Sequence, residues 1–174
     1  ADKGLFVATN GQYLRRKTVK TGDPFYLTEE ERREIIEKTC ADQPKLSFWG
    51  FEMGGINPAR YKTLCKIQAQ CPDAILYEIQ GADKVRSDSK VGSAEDYLTN
   101  IRFAIFGRDD IDLEQTFAAD PLLSSHRDSF TLLPALPEAE ISSTAVRRAL
   151  VNTVISPSFL IYCAIACTVV PTPK

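Results

Sequence analysis

Short apolar runs and stretches of helical spacing alternate along this chain. Residues 5–8 (Leu-Phe-Val-Ala) are an unbroken apolar run closed by Asn10-Gly11, the pattern of a buried strand followed by a turn. Thr28, followed three residues later by Glu31, reads as a capping box. It opens a helix to about residue 40, with Ile35 and Ile36 on its inner face. Residues 46–52 alternate like a strand, 53–58 read as a loop, and a helix covers 59–70 before Cys71-Pro72 stops it. A strand over 74–80, a helix over 94–100 and strands over 101–106 and 130–133 follow. Residues 121–128 read as a surface excursion, with His126 an exposed loop residue. The alternation predicts an α/β protein with a mostly parallel sheet.

The totals narrow the class. A chain of 174 residues, 44 % hydrophobic and 25 % charged, is long enough for one domain with a single substantial core. A net charge of −2 argues against a general nucleic-acid binder, although a local basic patch can still hold a phosphate. Five cysteines at irregular spacing read as reduced thiols, which points to an intracellular protein, cytoplasmic or nuclear. With His126 the sole histidine, no metal site is expected. No secretory signal opens the chain and no initiator methionine precedes Ala1, so the beginning reads as missing or removed.

Candidate chemistry concentrates late in the sequence. Ser142, Ser143 and Thr144 stand where a helix should begin, and Arg147 and Arg148 follow within about a turn. A helix start offers unpaired N–H groups and partial positive charge, so added hydroxyls and a guanidinium suit a polyphosphate. An ordinary N-cap with solvated arginines is the simpler reading. Arg15, Arg16, Lys17 and Lys20 form a basic loop after the first strand, either solvated or in contact with phosphate. Gly81 directly follows a predicted strand, where a residue without a side chain lets a ligand approach the backbone.

Together these pieces resemble the nicotinamide/nicotinate mononucleotide adenylyltransferases of the nucleotidyltransferase superfamily, over roughly residues 4–150. The basic loop to Lys17 and the Leu27-Thr28-Glu29-Glu30-Glu31-Arg32 helix start resemble the segment after that family's second strand. Phe51-Glu52, with Trp49 close by, resembles its Trp-Glu element. Gly81-Ala82-Asp83 matches its G-A-D turn, and residues 141–147 match its I-S-S-T-x-[IV]-R signature. The resemblance implies a Rossmann-like, doubly wound sheet and adenylyl transfer from ATP to a pyridine mononucleotide, with Mg²⁺ on the phosphates. It assigns ATP phosphates to Ser142, Ser143, Thr144 and Arg147, the last as the catalytic group. Gly81 and Asp83 would line the nucleotide cleft, with Arg108 near the adenine-side loop. Lys17 would hold the mononucleotide phosphate. Trp49 or Phe51 would stack on the pyridine ring, or else serve as plain core. The partners are then ATP and the mononucleotide; homo-oligomerisation is compatible with the sequence.

The sequence departs from the family in one respect. It contains no H-x-G-H or T-x-G-H motif, and residues 5–8 resemble the family's second strand. The first strand, phosphate loop and helix are therefore expected to be missing, either from an incomplete record of a longer protein or in a diverged, non-catalytic homologue. In a sheet ordered 3-2-1-4-5 that strand is central, and its loss leaves buried backbone groups unpaired at about 1–3 kcal/mol each. Residues 151–173 carry no charge. This tail, set apart from the domain at 1–150, reads first as a buried closing helix opened by Ser156-Pro157. A membrane anchor is disfavoured because the apolar run is shorter than the ~20 residues a span needs. The third reading is that the β-branched run supplies the strand the sheet lacks.

Overall fold

The computed structural model describes residues 2–21, 27–55, 60–107, 111–134 and 167–170. The chain divides into two compact units. One comprises Ala1–Asp2, Ala59–Glu140 and Cys167–Lys174; the other comprises Lys3–Pro58 and Ile141–Ala166.

In the unit built from Lys3–Pro58, strand β1 (Lys3–Phe6) leads into helix α1 (Gly11–Thr21), and α2 (Glu29–Ala41) leads into β2 (Leu46–Phe48). The two strands pair in parallel, Leu5 opposite Ser47 and Phe6 opposite Phe48. Leu5, Phe6, Val7, Ala8 and Ile36 are buried and form its core. At Gly4 β2 packs closely: a Cβ there would stand 2.6 Å from the tip of the Leu46 side chain, which would have to shift. The capping box forms as read: the Glu31 amide donates to Thr28 Oγ1 at 3.2 Å, and the Thr28 amide donates to Glu31 Oε2 at 2.8 Å. Thr28→Ala is expected to cost about 1 kcal/mol, measured as a lower urea midpoint at unchanged slope.

The other unit carries α3 (Arg60–Gln70), β3 (Tyr77–Gly81), α4 (Ala82–Asp88), α5 (Ala94–Asn100), β4 (Arg102–Phe106), α6 (Leu113–Ala118), α7 (Pro121–Ser125), β5 (Phe130–Leu133) and β6 (Cys167–Val170). Strands β3, β4 and β5 run parallel, with Ile79 opposite Ala104 and Ala104 opposite Thr131. Phe103, Ala104 and Ile105 are all buried, which fits a strand covered on both faces. Aromatic side chains lock this core. The Phe103 ring stacks on Phe130 at 4.6 Å, and Tyr97 and Phe117 meet this pair edge-on.

Three expectations change. The basic stretch at 15–20 is part of helix α1 and not a loop, because Asn10 caps the helix instead of ending the strand in a turn. Residues 121–128 are not a surface excursion: Asp120 caps α7, Pro121 takes its first turn, and Leu123 is fully buried. Strand β2 stops at Phe48, and the chain turns from Phe51, where the strand was expected to continue to 52.

The tail supplies a strand at its far end. β6 pairs antiparallel with β3, Val169 opposite Tyr77 and Thr168 opposite Glu78. It thereby lies on the side of β3 away from β4, where the 3-2-1-4-5 order would put the first strand. At Cys167–Val170 the third reading of the tail is realised in place of the closing helix; residues 151–166 lie outside the described residues.

Candidate functional site

In an open α/β sheet, ligands bind beyond the carboxyl ends of the parallel strands. At that end of β3, Gly81 is the last strand residue and the N-cap of α4, with extended backbone (φ −76°, ψ 152°) and no side-chain cap. Asp83 is exposed in the first turn of α4, its carboxylate 3.9 Å from Lys84 Nζ. The G-A-D run thus closes a strand, as the sequence reading expected, and opens a helix where that reading expected only a turn.

Beneath this junction is a polar cluster that sequence reading missed. Glu78 and Gln80 point to the same side of β3, and both are buried. Arg60, at the start of α3, reaches Glu78 Oε1 through Nε at 3.4 Å and Asp88 Oδ1 through Nη1 at 3.0 Å. The Tyr97 hydroxyl donates to Glu78 Oε2 at 2.7 Å, and the Gln80 amide donates to Asp88 Oδ2 at 2.5 Å. Gln80 Oε1 is buried with no hydrogen-bond partner. Four elements (α3, β3, α4 and α5) therefore meet through charged or hydrogen-bonded side chains.

The electrostatics follow from two carboxylates sharing one guanidinium. Burial pushes the Asp88 carboxyl up to about 7; Gln80 and Arg60 oppose this, and Glu78 adds to it. Burial, followed by the Glu78 and Asp88 charges, pushes the Tyr97 phenol well above its ordinary value, so Tyr97 stays a donor. Burial also works against the Arg60 charge, but Glu78, Tyr97 and Asp88 outweigh it and hold the guanidinium protonated. A signal for this cluster exists in the sequence. In Glu78-Ile79-Gln80 the polar residues take the buried alternate positions of a strand, which calls for buried partners.

In the unit with β1, Asn10 is the organising side chain, 2 % exposed. Its Oδ1 accepts from the amides of Gln12 at 2.9 Å and Tyr13 at 3.2 Å, and its Nδ2 donates to the carbonyls of Glu52 (3.3 Å) and Gly55. Glu29 accepts from the amides of Gly11 at 3.1 Å and of Gly54, and Arg32 Nη1 donates to the Thr9 carbonyl at 2.6 Å. The exit of β1, the start of α1 and the turn at 52–55 are thereby tied together. Asn10→Ala breaks the cap and leaves carbonyls unpaired. A loss of about 2 kcal/mol is expected; Asn10→Asp keeps the cap acceptor but cannot donate to the two carbonyls, so it too should lose stability, and guanidinium denaturation measures both.

Trp49 and Phe51 are half-buried and meet edge-on, ring centroids 5.2 Å apart at 78°. Lys17 lies on α1, its side chain outside the described residues, as are Arg108, Ser142, Ser143, Thr144 and Arg147. His126 is not an exposed loop residue. It caps the end of α7 with its side chain 15 % exposed, within 3.2 Å of Thr99 Oγ1 and 3.4 Å of Glu95 Oε1. Among the described residues no helix is long and apolar enough to cross a membrane.

No known family profile matches the sequence, and no curated protein does. Solved structures do share its fold. One is a nicotinic acid mononucleotide adenylyltransferase of Plasmodium falciparum complexed with APC, 14 % identical over 92 % of this chain and 94 % of that one, with a TM-score of 0.56. At this identity the shared property is the fold: a mixed α/β chain with parallel strands and helices, like that of a Rossmann-like nucleotidyltransferase.

Proposed function

We propose that this protein transfers the adenylyl group of ATP to nicotinamide or nicotinate mononucleotide, forming NAD or deamido-NAD and pyrophosphate. The observation that carries this reading is the position of Gly81-Ala82-Asp83. The run stands at the carboxyl end of a parallel strand and leads into a helix, on a fold shared with an adenylyltransferase. The Ser142-Ser143-Thr144 run with Arg147 supports it from the sequence.

In this reading the mononucleotide phosphate attacks the α-phosphorus in line, a P–O bond forms, and the bond to the β-phosphate breaks. The protein acts mainly by positioning and charge stabilisation. Ser142, Ser143, Thr144 and Arg147 hold the ATP phosphates, and Arg147 stabilises the charge that develops. Gly81 and Asp83 line the nucleotide cleft, with Arg108 on the adenine side. Lys17 binds the mononucleotide phosphate, and the Trp49–Phe51 edge offers a flat face to the pyridine ring. Mg²⁺ arrives with ATP as part of the substrate, so the chemistry asks for no resident metal site.

A second reading, a nucleotide-binding homologue without catalysis, is favoured by the engagement of His126 with α5. Calorimetric titration with a non-hydrolysable ATP analogue, followed by mass analysis of products from ATP and each mononucleotide, separates the two. Binding with dinucleotide formed supports the enzyme, and binding without product supports the homologue. No binding at millimolar analogue contradicts both.

A further inference from the structure

We propose that Asp88 is a positioning residue: bound by Arg60 from α3 and by Gln80 from β3, it fixes the course of α4 and thereby the place of Gly81, Ala82 and Asp83. The inference rests on the reading of this junction as part of the nucleotide cleft.

Local rules disfavour an acid at position 88 in three ways. Ala82, Val85 and Asp88 are each 0 % exposed and recur at a spacing of three, so they share the inner face of α4, where a third apolar residue would pack. Taking a carboxylate out of water is costly. Asp88 is also the last residue of the helix, whose negative end repels it. Stability gives no reason for the acid, since well-packed apolar residues in place of a buried ion pair are often neutral or better. What the acid adds is direction.

Asp88 Oδ1 accepts from Arg60 Nη1 at 3.0 Å, and Oδ2 accepts from Gln80 Nε2 at 2.5 Å, so both oxygens are held, from two different elements. Gly81 joins β3 to α4 with no residue between strand and helix and no side-chain cap. The helix spans seven residues, which puts Asp88 about 9 Å along its axis from Ala82. A short helix fastened at that far end keeps one course from the Gly81 junction. Burial of Ala82 and Val85 is non-directional and holds the helix in the core without fixing that course. Gln80 is the residue before Gly81, so its hydrogen bond ties the end of the strand to the end of the helix.

Position and stability can be separated by substitution. Replacing Gln80 and Asp88 together by apolar residues of similar size leaves neither as an orphaned partner of the other. Arg60 retains Glu78 at 3.4 Å, and the buried, partnerless Gln80 Oε1 is removed as well. The Gln80→Met/Asp88→Leu protein should therefore keep its urea midpoint while α4 loses its fixed course. Misplacing a positioned group by about 1 Å can cost about 100-fold in function, so the effect belongs at the nucleotide site.

The experiment uses the full chain at about pH 8, where the Asp88 carboxyl, pushed up to about 7 by burial, is ionised. Residual dipolar couplings of the N–H vectors in 82–88, referred to those of β3 and β4, read the course of α4 without any ligand. Calorimetric titration with a non-hydrolysable ATP analogue reads the consequence. In the double variant the couplings should change and the affinity should fall about 10- to 100-fold. Couplings that match the wild type overturn the proposal, and so does wild-type affinity. If the double variant fails to fold, Gln80→Met alone decides: it leaves the Arg60–Asp88 pair in place, and its couplings should still depart from the wild type. Unchanged couplings there overturn the proposal. If the wild type binds no analogue, the nucleotide reading fails, and the couplings alone decide whether Asp88 positions α4.

Discussion

Replacing Arg147 by alanine is expected to lower kcat/KM for adenylyl transfer by about 30- to 1,000-fold, equivalent to about 2–4 kcal/mol of lost transition-state stabilisation. The sequence reading expects a helix start at Ser142-Ser143-Thr144, residues outside the described ones, and in the proposed function a guanidinium about a turn later adds two fixed donors to the partial charge of such a start. The charge it meets grows as pyrophosphate leaves, so the loss should fall on kcat more than on KM. Arg147→Lys keeps a point charge without the fork and should recover only part of the activity. Steady-state kinetics with saturating mononucleotide and varied ATP checks this, and an unchanged kcat/KM in Arg147→Ala would remove the phosphate assignment.

Arg60→Met is expected to destabilise the unit carrying β3 by about 3 kcal/mol at neutral pH. Removing one partner from a buried ion pair leaves the other uncompensated, typically at about 3–5 kcal/mol. The Arg60 side chain is 37 % exposed, so the lower end applies. Asp88 loses the cation that holds its carboxyl down and should then take up its proton more readily. The loss should therefore shrink as the pH falls towards 4. Asp88→Asn in the same background should restore part of the stability, because it removes a buried acid whose cation is gone. Urea denaturation across this pH range, on the single and the double variants, measures both effects.

The structure agrees with the sequence reading where one residue pattern had one physical solution. The helix over 94–100, the α2 capping box and the strands near 102–106 and 130–133 all formed, since their apolar spacing or cap chemistry left no competing arrangement. The misreadings came from residues with two uses. Asn10-Gly11 is a strong turn signal, yet the same amide side chain caps α1 and turned a predicted basic loop into a helix. Asp120-Pro121 is an equally good helix start, but the polar Ser-Ser-His-Arg-Asp run after it outweighed the cap. The tail strand could not be placed from its own composition, because an apolar β-branched run suits a buried helix or a strand, and only pairing with β3 decides.

Of the candidate motifs, the one at residues 81–83 lies among the described residues, and its support was not legible in the sequence. Gly81 ends a strand as expected, but the helix that starts at Ala82 was read as a turn, and the cluster beneath draws single residues from α3, β3, α4 and α5 that no local pattern links. Glu78 and Gln80 were the one local clue, two polar side chains on the buried alternation of a strand.

The most direct test is pyrophosphate release from ATP, with nicotinamide or nicotinate mononucleotide and with neither. The account predicts release that depends on one of the mononucleotides, saturates with ATP and falls in Arg147→Ala. ATP binding without pyrophosphate at any protein concentration would contradict it.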